Sequence, residues 1–237
     1  AITESLAFHG ATVFVLGRSK EKFNAAFREV KAKENIFFSN CDVALSSSIE
    51  NVFKKIAAEQ GGIDVLINNA FYSKGQSPEA MSDEDFALGI DGTLSNVFRC
   101  IKGIIPCFKK NGSGKIINVS SMYGMVSPDF AVYDNFPAYL NPPHYGAAKA
   151  GVIQLTKYYA NFLGKDGITV NAVTPGPFPS AEVQKAEGFI EELKNKTALN
   201  KIGKPEDLAG AFVFLSSNAS DFITGQNIIV DGGWTSK

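Results

Sequence analysis

The chain contains 237 residues, 45% of them hydrophobic, and carries a formal net charge of −1 at pH 7. This length and composition predict one sizeable α/β domain with a single core over residues 1–237. The absence of a long basic block argues against a nucleic-acid partner, and no apolar run approaches the ~20 residues of a membrane span. We therefore expect a soluble, cytoplasmic protein that does not contact a membrane.

The cysteines and histidines indicate neither a disulfide framework nor a metal site. Cys41, Cys100 and Cys107 are odd in number and lack the spacing of paired or zinc-binding cysteines. His9 and His144 are the only histidines, and no His, Asp or Glu cluster has metal-ligand spacing. We expect reduced, structural cysteines and no bound metal.

Apolar runs rich in Val, Ile, Leu and Phe alternate along the chain with longer segments of helical periodicity. The predicted strands cover residues 12–16, 35–39, 63–68, 115–120, 167–173 and 226–230. The predicted helices cover residues 1–9, 19–33, 46–60, 82–110, 145–164, 182–196 and 205–217. Nearly continuous apolar strands are typical of a parallel sheet covered by helices on both faces. The order predicts an α/β fold with a doubly wound parallel sheet.

The helix predicted over residues 82–110 carries two glycines in its interior. Gly89 and Gly92 each cost roughly 1 kcal/mol relative to alanine at such positions. We therefore expect the long helix to bend there.

Tyr145 and Lys149 lie four residues apart in a predicted helix, so they share one face and are separated by one turn. A tyrosine has a reference pKa of about 10, and a nearby positive charge favours its phenolate. Ser121, at the end of an apolar run, could hold a carbonyl or alcohol oxygen beside that phenol while a proton moves. Taken alone, the Tyr–Lys spacing is more often an ordinary amphipathic pair.

Three further segments fall in the order of one known architecture, namely residues 64–70, 167–177 and 224–234. With the serine, tyrosine and lysine, they make the sequence resemble the short-chain dehydrogenase/reductase family along nearly its whole length. The resemblance implies a Rossmann-like fold and an NAD(P)-dependent oxidoreductase. It also implies that Tyr145 is the general acid/base and that Lys149 lowers its pKa and holds the nicotinamide ribose. Ser121, rather than Ser120, matches the residue that orients the substrate oxygen.

The resemblance places a dinucleotide-binding site along the strand ends. NAD-specific members have an acidic residue after the second strand, where this chain has Gly17 followed by Arg18. An arginine can pair with a 2′-phosphate, so Arg18 favours NADP(H), with NAD(H) as the other possibility. The alternative is that Arg18 is a solvated residue at a helix start.

The other residues that the resemblance assigns to the cofactor are, from the adenine to the nicotinamide, Asp42, Val43, Asn69, Ala70, Tyr145, Lys149, Phe178 and Ser180. Asp42 and Val43 match the family position near the adenine, although a turn before a helix would also place Asp42 there. Asn69 and Ala70 match the turn beside the ribose, with simple strand termination as the alternative. Phe178 and Ser180 lie in the loop that meets the nicotinamide.

In dinucleotide-binding folds, the first strand and a glycine-rich turn precede the first helix, and backbone N–H groups there bind the pyrophosphate. Residues 1–10 instead resemble the remainder of that helix. We therefore expect the first strand and the glycine-rich loop to be missing from this chain, which would leave a slot in the sheet. The native protein would then carry roughly 15–20 further residues ahead of Ala1.

Two positions near the predicted site depart from the family pattern. Thr93 stands where the family often has an asparagine that supports a water-borne proton path to the lysine, and a threonine hydroxyl can also hold a water. Asn96 is a second candidate for this role, with a solvent-facing amide as the alternative. Phe71 replaces a glycine that commonly follows Asn-Asn-Ala, and its ring should narrow the cleft.

The spacer between Ser121 and Tyr145 is about ten residues longer than is common in the family. It contains Phe130, Tyr133, Phe136, Tyr139 and two prolines. This composition predicts either an ordered lid beside the site or a segment that packs against a partner subunit.

The implied activity is hydride transfer between NAD(P)(H) and a carbonyl/alcohol pair on a small-molecule substrate. Around residues 93–98 and 141–149 the sequence is most similar to sugar-acid or polyol dehydrogenases, including gluconate 5-dehydrogenase-like proteins. The alternatives are a 3-oxoacyl thioester, a steroid or other cyclic alcohol, or a non-catalytic dinucleotide-sensing protein of the same fold. We expect a homodimer or homotetramer, because family members commonly assemble through the long helix and the helix that carries Tyr145.

Overall fold

The computed structural model describes residues 1–30 and 33–236, which form six strands and eight α-helices. The strands are β1 (Val13–Gly17), β2 (Ile36–Asn40), β3 (Val65–Asn68), β4 (Gly114–Val119), β5 (Ile168–Pro175) and β6 (Asn227–Val230). The helices are α1 (Ile2–Phe8), α2 (Lys20–Ala26), α3 (Ser46–Gln60), α4 (Asp83–Ile90), α5 (Asn96–Asn111), α6 (Pro143–Leu163), α7 (Glu187–Lys196) and α8 (Pro205–Ser216). The element order predicted from the sequence is confirmed.

Two predicted helices are shorter than expected. The helix predicted over residues 19–33 ends at Ala26, because Phe27 leaves the helical region with φ −111° and ψ 21°. Residues 31 and 32 of that prediction lie outside the described residues. The helix predicted over residues 182–196 is a short 3-10 turn followed by α7, because Ala186 between them adopts φ −86° and ψ 75°.

The six strands are parallel and form two sheets. β1 pairs with β2, while β3, β4, β5 and β6 form a second sheet in that order. Within the described residues, no strand pairing joins β1 and β2 to the larger sheet. Phe14 and Leu16 of β1 nevertheless pack in the same hydrophobic cluster as Leu66 of β3, so both sheets share one core. The architecture is the predicted α/β, Rossmann-like fold.

Helices cover both faces of the larger sheet. On one face α3, α5 and α6 contribute Ile49, Ile101 and Leu163 to the largest buried cluster, which also includes Ile116. On the other face Phe212 and Leu215 of α8 pack against Ile117 and Val173. Neighbouring residues of β4 thus point into the clusters on opposite faces of the sheet, as the alternation of a strand requires. In the described part of the chain, no helix is both long and apolar enough to cross a membrane.

The long predicted helix is interrupted by a π-helical turn, Asp91–Ser95, between α4 and α5. A Cβ added to Gly89 would lie 2.3 Å from the His144 ring of α6. One added to Gly92 would lie 1.9 Å from the carbonyl oxygen of Tyr72, in the loop after β3. The two glycines therefore allow α6 and this loop to approach the interrupted helix closely, at the place where the sequence predicted a bend.

We expect Gly92→Ala to lower the free energy of unfolding by roughly 1–3 kcal/mol, because the new methyl group would overlap the Tyr72 carbonyl. Gly210→Ala in α8 is the matched control, since a Cβ there meets no atom within 4 Å. An exposed helical glycine gains roughly 0.5–1 kcal/mol on replacement by alanine. Urea unfolding of both variants measures the two changes, and a stabilised Gly92→Ala protein would contradict the packing argument.

Candidate active site

The predicted site residues follow the strands at their carboxyl ends. Within each sheet all strands are parallel, so these ends meet at one edge, where doubly wound folds bind their ligands. Ser121 follows β4, and Asn69 and Ala70 follow β3. Tyr145 and Lys149 reach the same edge from α6, where Lys149 Nζ donates to the carbonyl of Val119, the last residue of β4. Among the described residues, no group of three or more His, Cys, Asp or Glu side chains is placed to hold a metal ion.

Ser121 is brought to α6 by a close approach of two backbones. Ser121 caps a short 3-10 turn, since its Oγ accepts a hydrogen bond from the Tyr123 N–H at 3.2 Å. A Cβ on Gly124 of that turn would lie 2.7 Å from the Lys149 carbonyl carbon. One on Gly146 would lie 2.8 Å from the Tyr123 carbonyl oxygen. Glycine at both positions therefore lets the turn rest directly on the helix.

Ser120 and Ser121 have different roles in this arrangement. The Ser120 hydroxyl donates to the backbone carbonyl of Lys149 at 2.9 Å and so joins β4 to α6. Ser121 acts on the phenol of Tyr145, whose pKa it lowers partly against the effect of burial. The hydroxyl beside the phenol is therefore that of Ser121, which remains our candidate for orienting a substrate oxygen.

Lys149 is buried next to Tyr145, with only 5% of the residue exposed. Its Nζ donates to the Val119 carbonyl oxygen at 2.6 Å and lies 5.7 Å from the centroid of the Tyr145 ring. Burial lowers the pKa of Lys149 to about 8, because the ammonium loses its water. The charge of this side chain is therefore sensitive to mildly alkaline pH.

The pKa of Tyr145 is raised above its ordinary value, which is opposite to the direction expected from the Tyr–Lys spacing. Burial disfavours the phenolate, and the hydrogen bond with Ser121 offsets only part of that effect. The expectation was wrong because Lys149 directs its hydrogen bond to the Val119 carbonyl rather than to the phenol oxygen. A protonated phenol at neutral pH is the form that can donate a proton to a carbonyl oxygen.

Arg18 is exposed directly after β1, and Gly17 before it has no side chain to cover the strand end. The backbone carbonyl of Arg18 accepts a hydrogen bond from Asn40 Nδ2 at 3.4 Å. Ser19 caps α2 by accepting from the Lys22 N–H at 3.1 Å. The backbone at this strand end is therefore held while the guanidinium stays at the surface, an arrangement that fits a 2′-phosphate.

The residues predicted near the adenine and its ribose lie in two loops. The carboxylate of Asp42 accepts from the Ala44 N–H at 3.0 Å, so Asp42 forms the turn that was its alternative interpretation. The Val43 carbonyl accepts a hydrogen bond from Arg99 Nε at 3.0 Å. Asn69 and Ala70, after β3, are both exposed and leave their strand end open to a ligand.

Phe178 and Ser180 lie in the loop after β5 but differ in their surroundings. Phe178 packs over Gly203, where an added Cβ would lie 2.3 Å from the ring. Ser180 is exposed, and its Oγ accepts from the Val183 N–H at 3.4 Å at the start of the next turn. No described contact joins Ser180 to Ser121, Tyr145 or Lys149, so its cofactor role rests on the family resemblance.

The two candidates for a proton path have buried side chains. Asn96 is only 2% exposed, and its Nδ2 donates to the Ala70 carbonyl at 2.7 Å. The alternative of a solvent-facing amide is therefore wrong, because the π-helical turn shifts Asn96 toward the core. Thr93 is 1% exposed, and among the described residues its Oγ1 has no hydrogen-bond partner. Such a buried hydroxyl is a place where an ordered water is expected.

A buried relay of amides was not predicted from the sequence. Asn68 Nδ2 donates to Asn118 Oδ1 at 2.8 Å, and Asn118 Nδ2 donates to Thr156 Oγ1 at 2.9 Å. Thr156 Oγ1 in turn donates to the Val152 carbonyl at 2.8 Å. These bonds tie β3, β4 and α6 together beneath the site. The sequence carries little sign of this relay, because single Asn and Thr residues inside apolar runs do not identify their hydrogen-bond partners.

The long spacer between Ser121 and Tyr145 packs against α7. The rings of Tyr133, Phe136 and Tyr139 lie 5.8, 5.5 and 4.6 Å from the Phe189 ring, measured between centroids. On its other side, Gln76 Nε2 donates to the backbone carbonyls of residues 138 and 140 at 2.7 and 2.8 Å. The spacer is therefore ordered by contacts within the chain. Whether it also closes over a substrate stays a prediction.

Comparison with known proteins identifies the family. Residues 1–235 match the family model described as Enoyl-(Acyl carrier protein) reductase. The chain therefore belongs to the short-chain dehydrogenase/reductase family and is an oxidoreductase of that family.

Sequence relatives include two bacterial enzymes named 3-oxoacyl-(acyl-carrier-protein) reductase FabG. The one from Chlamydia muridarum is 33% identical over 238 residues, which cover 98% of this chain and 90% of the relative. The one from Staphylococcus aureus strain N315 is 36% identical over 239 residues, which cover 98% of this chain and 92% of the relative.

Solved structures with the same fold carry two different cofactors. A gluconate 5-dehydrogenase from Burkholderia cenocepacia, in complex with NADP and tartrate, has a TM-score of 0.86 and 28% identity over 100% of this chain and 90% of its own. A short chain dehydrogenase from Leptospira borgpetersenii with bound NAD+ has a TM-score of 0.86 and is 30% identical in sequence. The match covers 99% of this chain and 87% of that dehydrogenase.

We expect Tyr145→Phe to lower turnover by at least about 10²-fold, because it removes the only ionisable oxygen of the side chain. Cofactor affinity and the fold should change little, since the ring and its contact with Phe71 remain. Steady-state assays and cofactor titration measure the two effects separately. A variant that retains more than about a tenth of the activity would exclude Tyr145 as the general acid/base.

The lowered pKa of Lys149 also predicts a pH dependence of stability. Between about pH 8 and the ordinary lysine value, the unfolded chain binds a proton that the folded chain does not, so stability rises with pH. The wild type should gain roughly 3 kcal/mol relative to Lys149→Met across that window. Urea unfolding of both proteins at pH 7.5, 9 and 10 checks this. A stability difference that does not change with pH would show that Lys149 stays protonated in the folded protein.

Proposed function

We propose that this protein transfers a hydride between NADP(H) and the carbonyl/alcohol carbon of a small-molecule substrate. The observation that carries the proposal is the grouping of Ser121, Tyr145 and Lys149 at the carboxyl end of β4. Ser121 lies near enough to the phenol of Tyr145 to lower its pKa, and the buried Lys149 Nζ lies 5.7 Å from the centroid of the Tyr145 ring. Two hydroxyls so placed can hold and protonate one substrate oxygen. A dinucleotide-sensing protein without turnover would have no use for this arrangement.

The described residues fit a dinucleotide along the strand ends. Arg18 would hold the 2′-phosphate, the loops with Val43 and Ala70 would hold the adenosine, and Lys149 would hold the nicotinamide ribose. The buried hydroxyl of Thr93, with no described partner, supports an ordered water near the same edge. When bound, the nicotinamide supplies or accepts the hydride.

The residues of this chain would hold the substrate oxygen and transfer the proton to it. In the reducing direction the Tyr145 phenol, which its raised pKa keeps protonated, donates to the substrate oxygen. The Ser121 hydroxyl donates a hydrogen bond to the same oxygen and fixes its position. The Lys149 ammonium, held by the Val119 carbonyl and 5.7 Å from the centroid of the Tyr145 ring, would hold the nicotinamide ribose beside the reacting atoms.

For the substrate, we favour a 3-oxoacyl thioester. The support is the 33–36% identity to reductases of that name over 98% of the chain. Phe71 adds to it, since its ring is 59% exposed and lies edge-on 6.4 Å from the Tyr145 ring, where it offers an apolar wall to an acyl group. A sugar acid is the second candidate, supported by the similar gluconate 5-dehydrogenase structure and by residues 93–98 and 141–149.

A homodimer or homotetramer is also part of the proposal. Phe98 on α5 is 43% exposed, and Tyr158 and Phe162 on α6 are stacked with ring centroids 6.2 Å apart. Exposed aromatic faces on these two helices suit burial in a subunit contact.

A substrate panel tests the function directly. The protein is incubated with acetoacetyl-CoA, 5-keto-gluconate or a cyclic ketone, and oxidation of NADPH or NADH is followed by absorbance. The highest kcat/KM should be obtained with the thioester and NADPH. Turnover of 5-keto-gluconate alone would move the assignment to the sugar-acid class. Dinucleotide binding without turnover of any carbonyl would favour the sensing protein.

We expect Arg18→Ala to weaken NADPH binding by about 10–100-fold and NADH binding hardly at all, because one charge-assisted contact to the 2′-phosphate is lost. Arg28→Ala, which removes another exposed arginine shortly after α2, is the matched control and should change neither affinity. Fluorescence titration of both cofactors measures the effect. Equal losses for NADPH and NADH would mean that Arg18 does not recognise the phosphate.

A further inference from the structure

Arg99 of α5 contacts the loops that follow β2 and β3, which belong to different sheets. Its Nε donates to the Val43 carbonyl at 3.0 Å, in the loop after β2. Its Nη2 donates to the hydroxyl oxygen of Tyr72 at 3.2 Å, in the loop after β3. Nη1 and Nη2 also donate to the two carboxylate oxygens of Asp91 at 2.8 and 3.0 Å. One guanidinium thus bridges the carboxyl ends of both sheets.

The loop after β3 is fixed to the interrupted helix at three points. The Tyr72 hydroxyl donates to the Asp91 carboxylate, and the Tyr72 N–H donates to the Gly92 carbonyl at 3.2 Å. Asn96 Nδ2 donates to the Ala70 carbonyl at 2.7 Å. Burial and the contact with Asp91 raise the pKa of Tyr72 to about 12, so its hydroxyl remains a donor at neutral pH.

The geometry requires an arginine at this position. The planar guanidinium donates to both Asp91 carboxylate oxygens through Nη1 and Nη2, and to the Val43 carbonyl through Nε. The single ammonium of a lysine cannot reproduce this combination. The side chain of Arg99 is 16% exposed and that of Asp91 40% exposed. The hydrogen bonds from Arg99 hold the pKa of Asp91 below its ordinary value, so the pair stays charged at neutral pH.

We infer that Arg99, with Asp91 and Tyr72, positions the two loops that receive the adenosine half of the dinucleotide. This inference rests on the proposed function, which assigns Val43 and Ala70 to that half. Arg99 touches both loops, and its hydrogen bonds to the Val43 carbonyl and the Tyr72 hydroxyl therefore help to fix their spacing. These three residues act through the loops and do not need to touch the nucleotide.

The test compares four variants of the full chain with the wild type. Arg99→Ala removes the bridge, Arg99→Lys keeps the charge without the fork, and Tyr72→Phe removes one hydroxyl while keeping the ring. Lys102→Ala, an exposed cation on the same helix, is the matched control. NADPH affinity is measured by fluorescence titration, thermal stability by circular dichroism, and kcat and KM for NADPH in the substrate assay.

We expect Arg99→Ala to raise the Kd for NADPH roughly tenfold, with Arg99→Lys intermediate and Lys102→Ala unchanged. Tyr72→Phe should raise it about threefold and keeps the test informative if Arg99→Ala does not fold. The kcat at saturating NADPH should stay within about twofold of the wild type, because the catalytic residues lie outside this network.

Two outcomes would overturn the inference, and they can be told apart. If the wild type binds NADPH and all variants bind it equally well, the network stabilises the fold only, even if the melting temperatures fall. If the wild type binds neither NADPH nor NADH, the proposed function fails and the positioning role fails with it.

Discussion

The contact between the turn after β4 and the first two turns of α6 is the constraint on which the candidate site depends. Glycine at positions 124 and 146 removes the side chains that would hold the two backbones apart. Two hydrogen bonds then join β4 and the residues after it to α6. The Ser120 hydroxyl donates to the Lys149 carbonyl, and the Lys149 ammonium donates to the Val119 carbonyl. The Ser121–Tyr145 pair follows from this docking, since neither side chain would reach the other across a wider separation.

The order of strands and helices could be predicted from the sequence, because apolar runs and helical periodicity follow directly from which residues are buried. Spacing and resemblance also selected Ser121, Tyr145 and Lys149 as candidates, and these three residues lie together in the structure. The sequence could not give the direction of the Tyr145 pKa, because that depends on which acceptor the lysine finds in three dimensions. For the same reason the partners of Asn96 were not predictable, since a π-helical turn changes the face on which a residue lies.

The aromatic residues between Ser121 and Tyr145 show a related limit. Their composition required burial, but a lid, a subunit contact and a contact within the chain bury the same rings. The structure places Tyr133, Phe136 and Tyr139 around one phenylalanine of α7. α7 is thereby coupled to the backbone that precedes Tyr145, so a substitution at Phe189 would act on both.

The break between the two sheets has a consequence for backbone dynamics. β1 pairs only with β2, and β3 pairs only with β4, so each has one edge without a strand partner in the described residues. Amide groups on such edges exchange with solvent faster than those inside a sheet, and they are open to pairing with any extended peptide. Hydrogen exchange at Val13–Gly17 and Val65–Asn68 would therefore report directly on how well these two strands are protected from solvent.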